Sequence, residues 1–154
     1  MPRANTIPLA MLQEKIAAYG VDVKITEGHN YDLFSVADLA LATSGTVTLE
    51  AALCGLPSVI VYRTSALNAF IARLVINIPN IGLPNIVAGR TIMPELLQED
   101  FTPENLAKTA VELLQPERQA QLQSDLAYMK HRLGEPGAVN RVAQLILKMT
   151  EEKK

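Results

Sequence analysis

Two short runs, ADLALA (Ala37–Ala42) and PSVIVYR (Pro57–Arg63), constrain the fold more than any other feature of this chain, because both are nearly continuous in apolar residues. A strand that carries apolar side chains on successive residues is covered on both faces, which is the condition of a parallel sheet between layers of helices. Segments with apolar residues at three- and four-residue steps lie before, between and after the two runs, and that alternation predicts an α/β fold built on a partial doubly wound parallel sheet.

The flanking segments fill in the order. Leu9, Leu12, Ile16 and Tyr19 predict a helix from Ile7 to Tyr19, with Pro8 in its first turn and Gly20 as its stop. VDVKIT, Val21 to Thr26, alternates and is rich in β-branched residues, as a strand would be. NYDLFSVA reads as a short helix opened by Asn30, and Leu67, Phe70, Ile71, Leu74 and Val75 form a helical stripe between Ser65 and Ile76. PNIGLPNIVAGR, residues 79–90, reads as a strand with its exit loop. Thr102 is placed to cap a helix opened by Pro103, with Leu106, Ala110, Leu113 and Leu114 facing inward. Pro116 opens another helix, carrying Leu122, Leu126, Met129 and Leu133, and after GEPGA a final helix carries Val139, Val142, Ala143, Ile146 and Met149. The expected order is αβαβαβα followed by C-terminal helices. A half-domain of this type ordinarily opens on a strand, so a start on a helix reads as a piece of a longer protein whose opening β-α-β portion is missing.

Composition narrows the function. A chain of 154 residues, 49% hydrophobic, can bury one ordinary core. A formal charge of -2 with no basic stripe gives no reason to expect nucleic acid. The single cysteine, Cys54, cannot close an internal disulfide and is expected to pack as a small apolar residue, and no Cys or His spacing suits a metal. The apolar runs fall short of the roughly 20 residues needed to span a bilayer, and the N-terminus lacks the apolar segment of about 7 to 15 residues of a secretory signal. A cytoplasmic, metal-free protein is expected.

The chemistry concentrates in TSGT, Thr43 to Thr46, directly after the first apolar run. In open parallel sheets ligands sit beyond the carboxyl ends of the strands, against the helices that begin there. Gly45 allows close backbone approach, Ser44 and Thr46 add hydroxyls, and the free N–H groups of a helix start favour a phosphate. The competing reading is that Ser44 or Thr46 simply caps the helix. Glu50 is harder to explain structurally. A capping box would need an acid three residues after the cap, where Ser44 has Val47 and Thr46 has Leu49, and one turn onward Cys54 offers no countercharge. With Leu49, Ala52 and Leu53 assigned to the inner face, Glu50 points towards the ligand end, where a carboxylate reaching past a phosphate could accept both hydroxyls of a ribose.

Taken in order, SGTVTLEAALCGLPSVIVYR, LPNIVAGR and PELLQED resemble the carboxyl-terminal half of the lipid-A-disaccharide synthases, bacterial glycosyltransferases of the two-domain GT-B type. The resemblance implies that residues 1–136 are an incomplete Rossmann-like UDP-sugar-binding domain and that 137–154 form a helix crossing back to an absent amino-terminal domain. It implies an inverting transfer without metal or other cofactor. By that resemblance UDP-2,3-diacylglucosamine would give its sugar to 2,3-diacylglucosamine 1-phosphate, forming a β(1→6) disaccharide and releasing UDP. Ser44, Gly45 and Thr46 would meet the diphosphate and Glu50 the ribose. Without a metal, charge on the departing UDP must be met by amide dipoles and cations. Arg90 and Arg63, each read as following a strand, are the available cations; Arg90 is favoured, and Arg63 is equally a surface residue ending a strand. Asn85 could hydrogen-bond sugar or phosphate, or be a turn residue. His29 could meet uracil, and His131 reads as solvated.

The acceptor site, the general base and peripheral association with the inner membrane belong, in the resembled family, to the absent domain, as does the expectation that this piece alone is inactive. The apolar stripe of the last helix would then be exposed and invite self-association. A different GT-B enzyme, a glucosaminyltransferase or UDP-sugar epimerase, or a noncatalytic α/β interaction domain are the alternatives.

Overall fold

The computed structural model describes residues 1–65 and 79–151. The expected helical stripe between Ser65 and Ile76 lies almost wholly outside the described residues. The chain forms an α/β fold with parallel strands in two small sheets, followed by C-terminal helices.

The centre is β4, Ser58–Tyr62, flanked by β3, Ala40–Thr43, and β5, Glu95–Leu97, all parallel. Alternation along β4 explains why PSVIVYR is apolar throughout. Ile60 faces one side, packed with Ala52, Ala88, Ile92, Met93, Leu126 and Met129. Val59 and Val61 face the other, with Leu113 and Leu122. Both faces of this strand are thus closed to water, as the sequence predicts. The other run differs: β3 stands at the edge of its sheet and leaves Leu41 exposed, so ADLALA is covered on one face only.

The amino-terminal part corrects two expectations. The chain enters on a short strand, β1, Pro2–Arg3, rather than on a helix, and of Val21–Thr26 only the end joins a strand, β2, Thr26–Glu27, parallel to β1. Between them α1, Leu9–Tyr19, stops at Gly20 in the left-handed conformation that glycine tolerates best. Helix α2, Asn30–Val36, follows.

The largest correction concerns residues 79–90, in which Leu83–Ala88 form a helix where a strand was expected. Gly82 caps α4, Leu83–Ala88, Pro84 occupies its second position, and Gly89 ends it at φ 70. The Leu-Pro opening and glycine stop are helix punctuation, and they outweigh the β-branched residues Ile81, Ile86 and Val87 that suggested a strand. The strand that completes the sheet is β5, whose three residues carry too little pattern to be read from sequence.

The closing helices begin where expected, but Leu114, expected to face inward, is the C-terminal cap of its helix and is exposed. Thr102 accepts a hydrogen bond from Asn105 N at 3.2 Å and caps α5, Pro103–Leu113. Helix α6, Pro116–Leu133, buries Leu122, Leu126 and Met129 against the sheet layers. Helix α7, Ala138–Glu151, leaves Val139, Val142, Leu145, Ile146 and Met149 exposed, the bare stripe anticipated for it.

Candidate functional site

The carboxyl ends of β3 and β4 create the site. The ladder continues one step past β3, where Ser44 N donates to Val61 O at 3.0 Å. Gly45 then turns the extended chain into α3, Thr46–Leu53, and is itself the N-cap, with no side chain capping the helix. The capping reading of Ser44 and Thr46 is therefore not what the structure holds. Thr48 instead secures the turn from inside: fully buried, it donates both its N–H, at 3.2 Å, and its hydroxyl, at 2.7 Å, to Gly45 O. The N–H groups of Gly45, Thr46 and Val47 have no acceptor among the described residues. Among the described residues an added Cβ at Gly45 would meet only Thr43 O, at 4.0 Å.

Helix α3 is rolled relative to expectation. Thr48, Ala51 and Ala52 are buried, Leu49 is partly packed and Leu53 is 40% exposed. The polar Thr48 can sit inward because Gly45 O satisfies it, and that choice displaces Leu53 outward. Glu50, one turn beyond exposed Thr46, is half-buried and has no hydrogen bond or ion pair among the described residues.

The neighbouring turn closes on the same loop. Ser44 Oγ donates to Ile81 O at 3.1 Å. Glu95, on β5, accepts from Ile81 N at 2.9 Å, Gly82 N at 3.0 Å and Asn85 Nδ2 at 2.7 Å. Sequence reasoning passed over Glu95, since one acid in PELLQED carries no spacing signal. Asn85 is fully buried: Nδ2 donates to Met93 O and to Glu95, and Oδ1 accepts from Ile92 N and Met93 N. Two donors and two acceptor positions exhaust an amide side chain, so Asn85 faces the scaffold in this arrangement.

The cations are placed differently from each other. Arg63 does follow β4, at the edge that carries Ser44, and it donates to Gln98 O at 3.3 Å and Phe101 O at 2.5 Å while stacking on the Phe101 ring. Arg90 follows α4 rather than a strand. Ser44 bonds Ile81 just ahead of that helix, and Arg90 lies past its other end. There Arg90 meets Asp125 Oδ1 at 2.6 Å and the face of Tyr128. Ser44, Gly45, Thr46 and Glu50 are thus brought together, and Arg90 is not with them. His29 is exposed at the start of α2 and pairs with Asp32 at 3.2 Å, His131 is exposed on α6, and Cys54 is exposed rather than packed.

A family model described as lipid-A-disaccharide synthetase matches residues 6–149. The chain belongs to this family. Among lipid-A-disaccharide synthases, that of Syntrophus aciditrophicus is 40% identical over 154 residues, covering 99% of this chain and 40% of the relative. Those of Nitrosococcus oceani, 38% identical, and Geobacter sulfurreducens, 37% identical, cover 98% and 97% of the chain and 39% of each relative. The chain therefore spans about two fifths of the length of the synthases it matches. This is the family that SGT, Glu50 and LPNIVAGR resemble. Among the described residues no helix is long and apolar enough to cross a membrane, and no three His, Cys, Asp or Glu side chains gather to hold a metal.

Proposed function

We propose that this chain is the nucleotide-sugar side of an inverting transfer in which UDP-2,3-diacylglucosamine glycosylates 2,3-diacylglucosamine 1-phosphate to the β(1→6) disaccharide and releases UDP. The observation that supports the reading is the start of α3: amides at Gly45, Thr46 and Val47 that have no acceptor among the described residues, with Glu50, which has no partner among them, one turn on. The amides and helix dipole receive the diphosphate, and Glu50 accepts both ribose hydroxyls. As the glycosidic bond to UDP breaks, these fixed dipoles stabilise the charge that develops on the leaving diphosphate, and no metal is required. Thr46 adds its hydroxyl, and Arg63 is the cation at the same edge of the sheet. Arg90 and Asn85 hold α4 in place against α6 and β5. The proton of the attacking hydroxyl passes to a base on the amino-terminal domain of the full-length enzyme, which also binds the lipid acceptor and associates with the cytoplasmic face of the inner membrane. The present chain alone does not turn over.

In the full-length enzyme, Glu50→Ala removes two charge-assisted hydrogen bonds and weakens UDP binding by about 10- to 100-fold in titration calorimetry. Unchanged affinity would remove the ribose role. Product analysis with acylated and unacylated donors distinguishes this transferase from another GT-B enzyme: the acylated sugar is transferred and the unacylated one is not.

A further inference from the structure

We propose that Glu95 is a positioning residue for nucleotide-sugar binding, acting through Ser44 on the amides of Gly45, Thr46 and Val47; the proposal rests on the reading of those amides as the diphosphate site. The connection is a single peptide group. The bond between Ile81 and Gly82 is trans, so its C=O and N–H point in opposite directions within one rigid plane. The C=O accepts from Ser44 Oγ at 3.1 Å and the N–H donates to Glu95 Oε1 at 3.0 Å. A carboxylate on the sheet is thereby linked through one plane to the residue that precedes Gly45.

The rest of the surroundings lock Glu95 in that role. Its Oε2 accepts from Ile81 N at 2.9 Å and its Oε1 also accepts from Asn85 Nδ2 at 2.7 Å, while Asn85 is itself tied to Ile92 and Met93. The register of β5 against Ile60 of β4 sets the carboxylate's height on the sheet. At Gly82 an added Cβ would run into Ile60 Cδ1 and sit 3.0 Å from Glu95 Oε1, so the close approach depends on glycine. A charged acceptor on the N–H polarises the peptide and makes its C=O a better acceptor for Ser44. The one donor of the Ser44 hydroxyl is then committed to protein. Ser44 anchors the loop, and the amides and the Thr46 hydroxyl remain as donors to phosphate.

The test is a double-mutant cycle on UDP binding in the full-length enzyme, with Ser44→Ala and Glu95→Gln. Glutamine keeps the size but turns an NH2 towards the backbone N–H groups. Each single change is expected to weaken UDP by about 5- to 20-fold, the double variant to be no weaker than the worse single, and KM for the acceptor to stay constant. Losses that multiply, or full UDP affinity in Glu95→Gln beside a weakened Ser44→Ala, overturn the role of Glu95 and leave the nucleotide site standing. Full affinity in both Ser44→Ala and Glu50→Ala instead overturns the nucleotide site. A readout without substitutions guards against misfolding of the variants: saturating UDP should slow hydrogen exchange at Ile81 and Gly82 together with Gly45 to Val47. Slowing confined to Gly45 to Val47 overturns the link.

Discussion

Buried polar side chains with every bond made decide the local structure at the residue scale. Thr48 and Asn85 both have no exposed surface, and each holds a turn by bonding backbone: Thr48 the start of α3, Asn85 the segment between α4 and β5. Replacing Asn85 by Ala strands two buried N–H groups and a carbonyl, and stability in denaturant titration of this chain should fall by about 2 to 4 kcal/mol. Gly82→Ala should cost about 1 to 3 kcal/mol in the same measurement, because the added methyl has to displace Ile60 or the Glu95 carboxylate. Glu50 was conspicuous in the sequence because it broke a pattern, an acid where neither a cap nor a pair required one. Glu95 was not, because its partners lie 10 to 14 residues earlier in the chain and only the fold brings them to it.

At the element scale, punctuation proved more informative than composition. Pro103, Pro116, Gly20 and Thr102 marked their helix ends correctly. The same signals in Gly82, Pro84 and Gly89 were outvoted by neighbouring β-branched residues, and α4 was read as a strand. Arg90 followed that error: placed after a supposed strand it belonged at the ligand edge, whereas after α4 it reaches Asp125 on α6. The cap on α5 offers a clean check, since Thr102 is linked to Asn105 N and does not enter the core. Thr102→Ala should lower stability by about 1 kcal/mol, and Thr102→Ser should restore most of it.

At the scale of the whole molecule, the core lies around β4 and under α3 to α6, while α1 buries no residue and α7 projects an apolar stripe with nothing described against it. Parallel sheet and helical cover were legible because burial on both faces writes itself into a strand; the division into two sheets was not, because strands of two residues carry no pattern. An uncovered stripe of this kind drives association in water. In sedimentation this chain should self-associate with rising concentration, and Val142→Asp with Ile146→Asp should return it to monomer without changing the unfolding midpoint of the α/β body.

A cocrystal of the full-length enzyme with UDP tests the central claim most directly. The diphosphate oxygens should lie within hydrogen-bond distance of the Gly45, Thr46 and Val47 amides, with the Glu50 carboxylate on both ribose hydroxyls. UDP seated on another surface, or Glu50 paired with a protein cation while the ribose goes unheld, would contradict it.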